Sequence, residues 1–218
     1  MVGGARRHHS VKLMRPNALY QHATDFLANL DADWAKLIAV VGPCTFETKP
    51  AREPYEALIR AVAYQQLHAK AGDAILNRLL AIYGNTFPSP HQLLTTEFDT
   101  LRACGFSAKK IETILGIANG AVDGLVPSRV EADAMSDEAL ITRLVTLKGI
   151  GRWTVEMLLV FTLQRMDILP ADDFAVAEGY KRLKKLNLAP KPKEMRAIGQ
   201  RWQPYRTIAS WYLWRVPK

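Results

Sequence analysis

The sequence predicts an all-α fold built from two helical lobes. Three observations carry this: apolar residues recur at three- and four-residue spacing along most of the chain, strand-like alternation is nearly absent, and prolines, glycines and serine caps punctuate the periodic stretches. With 218 residues, 49% of them hydrophobic, the chain can bury a substantial core.

Residues 1–16 form a polar, Arg-rich opening and read as a solvated basic tail in preference to a transit peptide. Beyond it the spacing predicts helices over Asn17–Leu30, Trp34–Val41, Pro54–Tyr64 and Ala69–Tyr83, with Pro54 pre-set for a first turn and Gly84-Asn85 as a stop. Phe87-Pro88-Ser89-Pro90 reads as a loop. Gly105-Phe106-Ser107 parts a short helix from a longer one over Ala108–Val122, which Ser107 caps. Ser136-Asp137-Glu138 opens a helix that runs to about Leu147, and another begins after Leu147-Lys148-Gly149-Ile150-Gly151-Arg152. That connection is short enough to require a tight hairpin, in which the glycines supply unusual backbone angles or close approach. Helices near Phe174–Lys185, Pro192–Trp202 and Tyr205–Trp214 complete the chain, with Trp34, Trp202, Tyr205 and Trp211 as packing aromatics. One lobe is expected from about 17–40 plus 125–218 and the other from about 41–124.

No run of 18 apolar residues is present, which predicts neither a membrane span nor a secretory signal and points to an intracellular protein. Cys44 and Cys104 are too few for a disulfide framework or a four-thiolate metal site and are expected as buried thiols. The net charge of +8 is unevenly placed. Residues 1–140 hold 14 basic and 15 acidic side chains, whereas residues 141–218 hold 15 and 6. Such a regional surplus suits a polyanion, and because no segment joins a basic face to a continuous apolar one, a footprint for phosphates is favoured over a membrane surface.

Gly149-Ile150-Gly151 presents backbone N–H groups at the start of the following helix, where unpaired donors and the helix dipole attract an anion. A plain turn with glycine caps is the alternative for this piece alone. Lys148 and Arg152 flank the glycines, Thr154 follows, and Asp172-Asp173 arrives 20 residues after Trp153.

The ordered run of Leu147-Lys-Gly-Ile-Gly-Arg-Trp-Thr154, Leu169-Pro-Ala-Asp-Asp-Phe174, Arg201-Trp-Gln-Pro-Tyr-Arg206 and Trp211-Tyr-Leu-Trp214 resembles the helix-hairpin-helix DNA glycosylases, most closely the DNA-3-methyladenine glycosylase II type, over about residues 54–216. The resemblance implies a base pocket in the cleft between the lobes. It maps the catalytic acid onto Asp173 and the aromatic pocket onto Trp153 and Trp214. Relatives that also cut the backbone hold a Schiff-base lysine where this chain has Trp153, so the implied branch is the single-activity one that leaves an abasic site. Tyr64-Gln65-Gln66-Leu67-His68-Ala69-Lys70 is similar to the yeast methyladenine glycosylase subgroup. It implies Gln66 or Leu67 as the plug left in the duplex when a nucleotide flips, and His68 as a minor-groove contact. Lys148, Gly149, Gly151 and Thr154 would contact the DNA backbone. The resemblance also implies a monovalent cation, Na+ or K+, on the main-chain carbonyls of Leu147 and Ile150, with no organic cofactor.

The chemistry suits these residues. Breaking an N-glycosidic bond builds positive charge on the sugar, which a carboxylate stabilises directly or by orienting water, and both roles are open to Asp173. No second acid accompanies it, since Asp172 is its chain neighbour and reads as a helix cap; the gap is coherent if the base is alkylated and leaves already charged. Tryptophan faces attract such a cation by about 0.5–2 kcal/mol each. The expectation is a monomer acting on alkylated purines in duplex DNA, in a cytoplasm with its nucleoid or in a nucleus. The alternatives are a non-enzymatic helix-hairpin-helix DNA-binding module and a glycosylase/lyase of the same fold. Which lesion is preferred, among 3-methyladenine, 7-methylguanine, ethenoadenine and deaminated purines, is left open.

Overall fold

The computed structural model describes residues 16–217, so nearly all of the basic tail lies outside the described residues. Among those described, thirteen α-helices and one short 3-10 turn account for the regular structure, with no strand. None of these helices is long and apolar enough to cross a membrane.

In chain order they are α1 (Pro16–Ala28), α2 (Ala32–Val41), α3 (Pro54–Tyr64), α4 (Ala69–Ile82), α5 (Pro90–Leu94), α6 (Phe98–Ala103), α7 (Ala108–Val122), α8 (Arg129–Ala134), α9 (Asp137–Leu144), α10 (Arg152–Phe161), α11 (Phe174–Leu183), α12 (Pro192–Ile198) and α13 (Arg206–Leu213). The 3-10 turn Gly199–Trp202 extends α12, which explains why periodicity read the two as one helix. Serine caps fall where the sequence places them: Ser107 accepts from Lys110 N–H and Ser136 from Ala139 N–H.

Two helices were not legible. Ser89 and Gln92 form a capping box over Pro90–Leu94, which begins at the last residue of the stretch read as a loop, and Ser128 with Glu131 does the same for Arg129–Ala134. Five or six residues hold too few turns to display a period.

The core is centred on α3, whose Leu58, Ile59 and Val62 are fully buried between Ile111, Ile114 and Ile117 of α7 and the Val155, Leu158 and Leu159 side of α10. The same core continues through Leu27 of α1, Trp34 of α2, Trp202 of the 3-10 turn and Trp211 and Tyr212 of α13. The Trp34 and Trp202 rings meet edge to face at 5.5 Å, and the Tyr212 hydroxyl donates to the Gly42 carbonyl at 3.0 Å. Trp34, Trp202 and Trp211 are thus core, as expected.

Helix α9 packs on α10 and α10 on α3, while α1, α2, α11 and α13 pack on one another. Cys104 is buried, whereas Cys44 is only half-buried, its thiol pushed up to about 11 by desolvation.

Candidate active site

Asp173 stands at the start of α11, and the polypeptide fixes it three times. Its Oδ1 accepts from Val176 N–H at 2.9 Å and from Trp214 Nε1–H at 3.2 Å, and its Oδ2 accepts from Trp153 Nε1–H at 2.7 Å. The N-cap of this helix is therefore Asp173 and not Asp172, a correction to the sequence reading. The reason is geometric: only the residue whose carboxylate reaches the N–H three positions on can cap, and Asp172 instead turns outward to Arg196, 3.8 Å away.

The two tryptophans assigned to a base pocket converge on one carboxylate from different elements, Trp153 from the first turn of α10 and Trp214 from the residue after α13. Trp153 lines two adjoining hollows. One, about 510 Å³, opens beside Gln65, Gln66, Asp173 and Phe174. The other, about 270 Å³, runs deeper between α3 and α10 past Tyr64, Met157 and Phe161. Trp214 borders neither of these; it stacks on Phe161 with centroids 5.9 Å apart and planes 12° apart, facing a third hollow beside Phe46 and Arg215. Phe161 forms the partition between the two sides, a role the sequence did not disclose because an aromatic at the end of an apolar helix face looks like core.

Tyr64 closes the deeper hollow. Its ring lies where a side chain on Gly72 would be, since a Cβ there would come within 2.2 Å of Cδ1, and its hydroxyl donates to Asp73 Oδ1 at 2.5 Å. Burial, and then that contact with Asp73, push the phenol above its ordinary value.

The hairpin follows its predicted form with unequal glycines. Gly149 has φ +85°, and a Cβ on it would strike Thr113 Oγ1 at 2.1 Å, so both conformation and space demand glycine. Gly151 has φ −96° and open space around the Cβ position. The nearby donors can therefore be approached closely by an anion. Gly151→Ala is expected to leave thermal stability within about 1 kcal/mol, the scale of an N-cap change, while weakening binding to undamaged as well as damaged duplexes. Melting curves and titrations with both duplexes check this; a loss confined to damaged DNA would remove the hairpin from backbone binding.

Of the flanking residues, Lys148 is exposed and pairs with Glu112 at 2.8 Å. Arg152 is turned away from the hairpin surface, donating to Glu138 and to the buried Glu156. Thr154 is 2% exposed and its hydroxyl accepts from Gln65 Nε2 at 3.1 Å. Its hydroxyl thus serves as an internal strut. The Leu147 carbonyl accepts the Ile150 N–H at 3.0 Å, which engages one of its two lone pairs.

The loop between α3 and α4 exposes Gln66, at φ +57°, and Leu67, 42% exposed. His68 caps α4 through Nδ1, which accepts from Ala71 N–H at 3.3 Å, leaving Nε2 on the outward side. Of the two plugs offered by the sequence, only Gln66 borders the hollow that contains Asp173.

A separate polar cavity of about 330 Å³ behind the hairpin is lined by Asp137, Glu138, Glu156, Asp167, Arg152 and Arg206 among others. It has no aromatic wall and does not include Asp173.

A helical fold in which a glycine hairpin leads into the helix whose first-turn tryptophan bonds a helix-capping aspartate defines the class of helix-hairpin-helix base-excision proteins. The chain belongs to the HhH-GPD superfamily of base excision DNA repair proteins, whose profile matches residues 59–204. It is 46% identical over 194 residues to DNA-3-methyladenine glycosylase 1 of Schizosaccharomyces pombe, covering 88% of this chain and 85% of that one. It is 39% identical over 207 residues to the alkylbase DNA glycosidase-like protein mag2 of the same organism, covering 94% and 97%. Among solved structures, the S. pombe 3-methyladenine DNA glycosylase Mag1 in complex with abasic DNA superposes with a TM-score of 0.86 at 45% identity, over 89% of this chain and 95% of that chain.

Proposed function

We propose that this protein is a monofunctional DNA glycosylase that flips alkylated purines, of the 3-methyladenine and 7-methylguanine kind, out of duplex DNA and hydrolyses their N-glycosidic bond. The observation that carries the reading is the Asp173 carboxylate held by the indoles of Trp153 and Trp214. A DNA-binding module has no use for a carboxylate so placed, and a lyase needs an amine where this chain has Trp153. Similarity to relatives named for this activity supports the same reading.

In this mechanism the flipped base lies against Trp153, and Asp173 faces the anomeric carbon. The bond breaks with its electron pair going to the base, which neutralises the cationic ring, while Asp173 stabilises the positive sugar. Water adds to that carbon and releases a proton, leaving an abasic site. A monovalent cation on the Leu147 and Ile150 carbonyls would supply positive charge for a DNA phosphate. Gln66 would fill the gap left in the duplex.

Incubation with methylated duplex DNA, followed by mild alkali, tests the activity: free methylpurine and alkali-dependent strand breaks are expected, and binding with no base release would leave only the module. The pH dependence tests the chemistry. With Tyr64 held protonated above its ordinary value near 10, no loss of that proton interrupts the neutral-to-alkaline range. Single-turnover excision of the cationic bases should therefore stay flat from neutral pH to about pH 9. An alkaline fall with enzyme still folded and bound would mean that a protonated group assists departure, with His68 and Tyr64 as the groups to substitute.

A further inference from the structure

Gln65 was unassigned by its pattern, yet it spans the two parts of the protein that meet DNA in the reading above. Its Nε2 donates to the Gly149 carbonyl at 3.3 Å and to Thr154 Oγ1 at 3.1 Å, which employs both hydrogens of the amide. Its own carbonyl accepts from Lys110 Nζ at 2.8 Å, and the same ammonium holds the Ala63 carbonyl at 3.0 Å. Lys110 lies on α7, and one turn further that helix presents Thr113, the side chain against Gly149. The loop that carries Gln66 and the hairpin thus rest on one helix, and Gln65 ties them directly.

The consequence follows from the geometry. Gln66 sits at φ +57°, a conformation costly for a residue with a side chain, at the lip of the hollow containing Asp173. Its neighbour's side chain ends at the peptide that shapes the hairpin. A shift of the hairpin on meeting a phosphate would be transmitted through Gln65 to Gln66.

We propose that Gln65 is a positioning residue that couples the hairpin's hold on the DNA backbone to insertion of Gln66 into the duplex, so that the two contacts form as one event. This rests on the glycosylase reading for its substrate, and it concerns the linkage alone.

A double-mutant cycle in the intact protein tests it, with Gly151→Ala at the hairpin and Gln66→Ala at the loop. Two signals are followed: affinity for a duplex bearing a tetrahydrofuran abasic analogue beside 2-aminopurine, whose fluorescence reports unstacking, and the rate of base release from methylated duplex. With Gln65 present, the double variant should lose at least fivefold less in the unstacking equilibrium than the product of the single losses. In the Gln65→Met background, which keeps the length and removes the donors, the losses should multiply. Gln65→Glu supplies the same test should the methionine variant fold poorly, melting curves being recorded for each. Multiplicative losses with Gln65 present, or the same coupling in both backgrounds, would overturn the proposal. A wild-type protein that unstacks the probe without releasing base would overturn the glycosylase reading and leave the coupling measurable.

Discussion

Asp173→Asn is expected to reduce single-turnover base release at least a hundredfold, a loss of about 2.7 kcal/mol or more in transition-state stabilisation. The charge proposed to face the sugar is gone, and the geometry adds a second injury. Asparagine can keep its oxygen on Val176 N–H and Trp214 Nε1–H, but its amide then meets Trp153 Nε1–H, donor against donor, where the carboxylate accepted at 2.7 Å. A displaced Trp153 would weaken base binding as well as chemistry. Trp153→Phe separates the two: it keeps an aromatic face and the charge, and should lose far less in rate than Asp173→Asn. Asp172→Asn, removing only an exposed partner 3.8 Å from Arg196, should change the rate less than twofold. Quenched-flow measurement at saturating enzyme checks all three, and more than about a tenth of the wild-type rate in Asp173→Asn would move the catalytic role elsewhere.

Gly149→Val is expected to abolish measurable binding to any duplex and to lower the melting temperature. A β-branched residue at φ +85° costs on the order of 1–3 kcal/mol, before the overlap with Thr113 Oγ1, 2.1 Å from the new Cβ, is relieved. Thr113→Ala in the same chain should recover part of the stability by making room, and little of the binding, because the backbone strain persists. Calorimetry and DNA titration distinguish these outcomes. Full recovery of both by Thr113→Ala would show that contact, and not conformation, requires the glycine.

Much of this fold could be read from spacing and caps, because long amphipathic helices such as Pro54–Tyr64 and Ala108–Val122 repeat their apolar residues often enough to fix both ends. The short capped helices escaped for want of turns. At the candidate site, Asp173, Trp153 and the hairpin glycines were recognisable because their ordered run resembles that of the helix-hairpin-helix glycosylases. Residues acting through tertiary contact gave no such signal. Phe161 looks like any apolar helix residue, Gln65 like half of a polar pair, and Lys110 like one more surface lysine, until folding brings a ring beneath Trp214, an amide against Gly149 and an ammonium onto two carbonyls. Thr154 shows the reverse: motif position suggests an exposed hydroxyl, and packing buries it.

The meeting of two indoles on one carboxylate also makes the protein its own optical probe. Of its five tryptophans, Trp34, Trp202 and Trp211 are shut in the interior, so their emission is insulated from anything entering the cleft. Trp153 and Trp214 instead share a hydrogen-bonded anion, and Trp153 walls the hollows on either side of it. A purine arriving against Trp153, as proposed, should therefore change the intrinsic fluorescence above a constant contribution from the buried three, so that nucleotide capture can be timed on unlabelled protein and unlabelled DNA.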